Sequence, residues 1–262
     1  MQYTKIINSD TISVISAYLR LRGKHTFLLE SVPDMNEKAR YSIIALNPEH
    51  EFQATGTKIV IDGQVQANQD PLQALNDLVV NEASIGDDLP FHGGAIGYVG
   101  FDTIATYEML GKIPKDTLDM PDIHMFLYET FIVFDHQKEI ITMVANNVYS
   151  QCDEVQLHRR LAEIEGRLHQ QVDAELAHVK LQHIEPKSNL TQAQFTAIVD
   201  RTKQLITDGD MFQMVPSQRF NFDFNDDPFD FYRQLRRTNP SPYMYYMDFG
   251  EAQVVLAHPQ RV

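Results

Sequence analysis

Met125-Phe-Leu-Tyr-Glu-Thr-Phe-Ile-Val-Phe134, a polar turn at 135–138, and Ile140-Ile-Thr-Met-Val144 decide the reading of this chain. Both arms are rich in β-branched and aromatic residues, and residues 121–147 therefore read as one long antiparallel hairpin. Upstream, 25–31, 41–46 and 51–55 read as further strands. Lys58-Ile-Val-Ile-Asp62-Gly63-Gln-Val-Gln-Ala67 carries the Asp-Gly pair of a two-residue hairpin turn. Downstream, a strand is expected over 211–220 and another hairpin near 243–257.

Helical patterns fall between these strands. Ser9 or Asp10 can cap a helix whose face is Ile12, Ile15, Tyr18 and Leu19, with Gly23 as its stop. Asp70-Pro71 caps and opens a second helix carrying Leu72, Leu75, Leu78 and Val79. A charged helix is expected from 151 to about 179. Thr191 and Gln194 have the capping-box spacing for a helix over 191–208, and Pro228 opens one over 228–238. The glycines of Gly93-Gly-Ala-Ile-Gly97-Tyr-Val-Gly100 lie among hairpins and lack the strand-to-helix setting of a dinucleotide fingerprint. They read instead as a strand that needs close sheet packing or a bulge.

The 262 residues include 43% hydrophobic and 22% charged residues, an ordinary globular balance. Lys plus Arg number 22 against 36 Asp plus Glu, and the net charge of -14 opposes non-specific attraction to nucleic acid or an anionic membrane. One cysteine, Cys152, allows no internal disulfide, which favours a reducing compartment. Residues 1–21 lack a basic start followed by an apolar core, and no apolar run is long enough to span a bilayer. A cytoplasmic location is expected. Ten histidines show neither H-E-x-x-H nor a cysteine at ligand spacing, and no Walker loop or G-x-S-x-G elbow occurs. The domain plan reads as an N-terminal region over 1–180, a linker over 181–190 around Pro186, and the start of a second domain over 191–262.

Five motifs in one order carry a resemblance: Leu28-Leu-Glu-Ser31, Arg40-Tyr-Ser42, Gly93-Gly-Ala-Ile-Gly-Tyr-Val-Gly-Phe-Asp102, Gly209-Asp-Met-Phe-Gln-Met-Val-Pro-Ser-Gln-Arg219 and Asn239-Pro-Ser-Pro-Tyr-Met244. Together they resemble component I of anthranilate synthase, among the chorismate-utilising enzymes. The resemblance implies an α+β fold, with large antiparallel β-sheets packed face to face and helices outside, of which the second half would be missing here. It implies conversion of chorismate and ammonia to anthranilate and pyruvate in tryptophan biosynthesis. Ammonia would come from a glutamine amidotransferase subunit, component II, with Mg2+ assisting and tryptophan as feedback inhibitor. The magnesium-binding glutamates and the catalytic histidine would lie beyond Val262, so the chain alone is expected to be inactive.

By motif, Glu30, Ser31, Arg40, Pro242, Tyr243 and Met244 take the family's tryptophan-binding positions. Gln213 is the one position here that would face the chorismate pocket, where water-using relatives carry lysine as a base. Ala257-His-Pro-Gln-Arg-Val262 departs from the small residue and Ser-Pro-Glu usual after Leu256. Two alternatives stand beside this reading. One is component I of aminodeoxychorismate synthase in the folate pathway, and the other is a catalytically silent chain that binds tryptophan or a partner subunit.

Overall fold

The computed structural model describes residues 1–32, 40–67, 69–80, 89–111, 116–171 and 185–257. The chain opens with β1 (Gln2–Asn8), which the sequence reading passes over. Its mixed polar pattern has no period-two signal, because it is an edge strand held by its backbone register with a later strand. The first helix, α1 (Val14–Leu21), is capped by Ser13, whose Oγ accepts from the Ser16 N–H at 3.1 Å. The expected cap at Ser9 or Asp10 is therefore corrected. The buried face is Val14, Ala17, Tyr18 and Leu21, since a later start rotates the register.

β2 (Phe27–Glu30), β3 (Tyr41–Leu46) and β4 (His50–Thr55) follow as expected. β5 (Lys58–Ile61) and β6 (Gln64–Val65) turn through Asp62 and Gly63, with φ of 51° and 76°. Both central residues are left-handed, the requirement of the two-residue turn read from Asp-Gly. α2 (Pro71–Leu78) has Asp70 as its cap, its carboxylate accepting from the Gln73 N–H at 2.7 Å. β7 (Gly94–Val99) then leads into a 3-10 turn at Phe101–Thr106.

The run 125–134 is not one strand. β8 (Ile123–Tyr128) ends, the chain bends at Glu129, and β9 (Thr130–Asp135) continues in a different sheet. β10 (Ile140–Asn146) completes the hairpin with β9 alone. The seven-stranded sheet runs β1-β10-β9-β3-β2 and then β13 (Met244–Asp248) and β14 (Gln253–Ala257). The five-stranded sheet runs β6-β5-β4-β8-β7, and every pairing in both is antiparallel.

Phe27, Phe131, Val133, Val144 and Met247 of the larger sheet pack against Ile96, Phe126 and Tyr128 of the smaller one, so the two lie face to face. α3 (Glu154–Leu168) buries Leu157, Leu161, Ile164 and Leu168 and lies with α1 on the larger sheet's outer side. This leaves β9 and the middle of β10 buried on both faces, which explains their continuous apolar sequence. α3 ends at Leu168, and of the expected extension to about 179, residues 172–179 lie outside the described residues. So do residues 181–184 of the expected linker and the departure at 258–262.

Contacts divide the chain into two units, 1–176 with 232–262, and 177–231. The expected linear plan placed 232–262 with 191–231. β13 instead hydrogen-bonds to β2, which groups the C-terminal residues with the first segment. The second unit contains α4 (Gln192–Thr207) with the capping box of Thr191 and Gln194, and the short pairing of β11 (Lys187–Ser188) with β12 (Phe220–Asn221). The strand expected over 211–220 reduces to these last residues. Among the described residues, 211–219 have no neighbouring strand to pair with, and propensity without a partner does not make a strand. α5 (Pro228–Thr238) matches its expected bounds.

Candidate functional site

Glu30 ends β2, with Met244 opposite it in β13 and Ser42 opposite it in β3. Past the strand end, the Val32 N–H donates to the Ser241 carbonyl at 3.3 Å. Residues 30–32 thus run beside 241–244, and two segments over two hundred residues apart become one side of a site. Ser31 and Pro242 are half-buried, Met244 is buried, and Tyr243 is 75% exposed.

The Glu30 side chain is buried and its carboxylate is already engaged. Arg236 grips it with Nε on Oε2 at 2.8 Å and Nη2 on Oε1 at 2.7 Å, and the Tyr232 hydroxyl donates to Oε2 at 2.7 Å. Bidentate geometry makes this among the stronger classes of side-chain pair. Burial opposes the charge on Arg236, but its hydrogen bond to Glu30 and Glu30's charge outweigh that and raise its pKa. Burial, then the Glu30 charge, pushes the Tyr232 hydroxyl up. A carboxylate has about four acceptor positions, so three donors leave Glu30 little side-chain capacity for a ligand.

Arg40 immediately precedes β3. Its guanidinium lies over the Tyr41 ring, 4.6 Å from the centroid, and its Nη2 donates to Asp135 Oδ2 at 3.3 Å. Its Nε is buried without a hydrogen-bond partner among the described residues. An unsatisfied buried donor costs about 1–3 kcal/mol, and an anionic ligand group would remove that cost. For Asp135, burial works against ionisation, while the Lys138 N–H, Arg40 and the Gln137 N–H outweigh it and hold the carboxyl below its ordinary range. Ser42 Oγ and His136 Nε2 meet at 2.8 Å in the same region.

Five of the six residues assigned to tryptophan, 30, 31 and 242–244, therefore come together at the ends of β2 and β13. Arg40 stands at the start of the neighbouring strand. Gln213 belongs to the second unit, where it is exposed in coil. Sequence reasoning missed Tyr232 and Arg236. Their spacing of four on a helix with expected bounds puts them on one face, which was the available signal, but nothing local says that the face meets a carboxylate.

A second charged group was also missed. At the bend between the sheets, buried Glu129 accepts from Arg160 Nη1 at 2.6 Å and from the Tyr149 and Ser150 N–H groups at 2.8 and 3.1 Å. Arg160 also pairs with Glu49 at 2.9 Å. Burial raises the Glu49 pKa, aided by the Glu129 charge. For Glu129 burial pulls the same way, but its hydrogen bonds to Ser150, Tyr149 and Arg160 prevail and lower it.

No three His, Cys, Asp or Glu side chains converge as a metal site among the described residues, so these residues do not fit magnesium and no chemistry here is routed through it. No described helix is long and apolar enough to cross a membrane.

The family model described as chorismate binding enzyme matches residues 24–262. Anthranilate synthase component 1 of Lactococcus lactis subsp. lactis is 40% identical over 264 residues, covering 100% of this chain and 58% of that protein. The protein of the same name from Thermus thermophilus is 33% identical, over 98% of this chain and 55% of its own length. The crystal structure of anthranilate synthase component I from Streptococcus pneumoniae TIGR4 superposes with a TM-score of 0.77 at 39% identity, covering 98% of this chain and 57% of that one. The chain thus spans little more than half the length of the relatives it matches, and the fold of large antiparallel sheets with flanking helices is that of component I.

Proposed function

This chain belongs to the chorismate binding enzymes, and from that premise we propose that it is the tryptophan-sensing part of an anthranilate synthase component I. The whole protein would convert chorismate and ammonia to anthranilate and pyruvate. A glutamine amidotransferase subunit would supply the ammonia, Mg2+ would assist, and tryptophan would inhibit. In this reading Ser31, Pro242, Tyr243 and Met244 line the amino-acid pocket. Arg40 supplies the carboxylate donor through its unpartnered Nε, and Glu30 holds the strand end in place. Chorismate reaches Gln213 only in the whole enzyme.

One observation carries the proposal: the β2–β13 register sets Glu30 opposite Met244 and so joins the two distant motifs. The chain contains no tryptophan. A bound tryptophan is then the sole indole in the sample, and its fluorescence anisotropy, excited at the red edge of indole absorption, reports binding directly. Anisotropy should rise on titrating the chain into tryptophan, and Ser31→Phe, which fills the half-buried position, should abolish the rise while the far-UV CD spectrum is unchanged. Free-ligand anisotropy at saturating folded chain would defeat the reading.

A further inference from the structure

At the opposite end of β2 from Glu30, the first unit contains a cleft of about 670 Å³ that no motif predicted. Its size falls within the range of small-molecule sites. The walls are aromatic. The Phe249 ring lies 4.6 Å from that of His124 and 5.3 Å from that of Tyr98, and the His25 ring stacks on Phe126 at 4.3 Å.

Acceptors predominate among the polar side chains of the lining. Glu51 Oε1 accepts from His124 Nε2 at 2.7 Å and from Gln53 Nε2 at 2.8 Å, while its Oε2 has no hydrogen-bond partner among the described residues. Burial lowers the His124 pKa, more than Glu51 raises it, which favours the neutral ring beside the carboxylate. His25 Nδ1 faces the Asp248 carbonyl at 3.3 Å. A carbonyl only accepts, so Nδ1 carries a proton in that contact, and in the neutral tautomer Nε2 presents a lone pair. The Tyr98 hydroxyl is already taken up by the Pro121 carbonyl at 3.1 Å. Around the rim Asp119 and Glu251 join Glu51 against Lys24 alone, three carboxylates to one ammonium.

His25 adopts a φ of 57°, a left-handed conformation uncommon outside glycine, and its carbonyl is held by the Tyr128 hydroxyl at 2.7 Å. Backbone in such a region persists where its surroundings over-determine it, and it clusters at ligand sites.

We propose that this cleft is a second small-molecule site, selective for an aromatic primary ammonium. Glu51 Oε2 is its counter-ion, His25 Nε2 its second acceptor, and Phe249 and Tyr98 its flat walls. Three strand steps of about 3.3 Å separate Phe27 from Glu30 and His25 lies two residues before Phe27, so the cleft and the Glu30 site hold separate ligands.

Benzylamine and its charge-reversed analogue benzoate test this, read by the ring 1H–15N signals of the histidines in the 262-residue chain. Benzylamine should shift the His25 and His124 signals and benzoate should not. Glu51→Gln keeps the shape and should weaken benzylamine at least about tenfold, the equivalent of losing one charge-assisted hydrogen bond. His25→Asn, which tolerates the left-handed backbone, should also weaken it. Saturating tryptophan should leave the benzylamine shifts intact. No shift with benzylamine, equal shifts with benzoate, unchanged affinity in Glu51→Gln, or displacement by tryptophan would each overturn the proposal.

Discussion

Glu129 and Glu30 are buried carboxylates, each held by one arginine, and their neighbours show what each does. At Glu129, Arg160 and two backbone N–H groups converge where the chain leaves one sheet for the other, so the charge fixes the bend. Glu129→Gln should cost about 3 kcal/mol at neutral pH, the scale of breaking a buried pair from one side. Because the folded pKa of Glu129 is depressed, its stabilisation is complete above the ordinary carboxylate pKa and is lost as pH falls through the lower folded value. Urea unfolding of both forms across acid pH should show the gap closing in that direction. A gap constant with pH would assign the cost to packing.

At Glu30 the two missed residues make different contributions. Tyr232→Phe removes one hydrogen bond to a charged group and should cost about 1.5–3 kcal/mol. Arg236→Lys keeps the charge but loses the bidentate grip. Both should weaken tryptophan binding in the anisotropy titration if Glu30 orders the strand end that carries Ser31. Full affinity in the lysine variant would show that charge alone suffices. Neither role was legible from sequence, which gave the helix over 228–238 but not the carboxylate that its face meets.

Among the elements, β7 shows how a glycine pattern with two readings was resolved. A Cβ at Gly97 would lie 2.0 Å from the His124 carbonyl oxygen and 2.8 Å from Met125 Cα, both backbone atoms of β8. The strands must separate to admit it. Gly97→Ala should therefore destabilise by about 3 kcal/mol or more, beyond ordinary overpacking, and thermal unfolding by CD measures it. An unchanged melting temperature would mean that the β7–β8 pairing is not as close as described. The expectation of close sheet packing was correct because β7 runs too near the β8 backbone at position 97 to admit a side chain.

Elements with local causes were read well for the same reason. The Asp62-Gly63 turn, the Asp70 cap and the Thr191–Gln194 capping box are each specified within a few residues. Elements whose stability comes from elsewhere were misread. β1 is held by β10, and 211–218 pair with no strand among the described residues.

For the molecule as a whole, we propose that residues 1–262 do not supply the reactive groups, so the chain incubated with chorismate, ammonia and Mg2+ should form no anthranilate, as followed by product fluorescence. Turnover would relocate the chemistry into residues 1–262 and revise the division of labour proposed above. The tryptophan titration is independent of this assay, because ligand binding needs the β2–β13 pairing and not the reactive residues.

The sequence by itself determined the Asp62-Gly63 turn, the 243–257 hairpin, the caps of α2 and α4 and the family, because turn chemistry, capping and motif order are local or linear properties. Only the tertiary structure decided that 125–134 serves two sheets, that 232–257 packs beside β2, and that Arg236 occupies the carboxylate of Glu30. Strand neighbours and charge partners are chosen by burial and backbone pairing across hundreds of residues, and no local pattern encodes that choice.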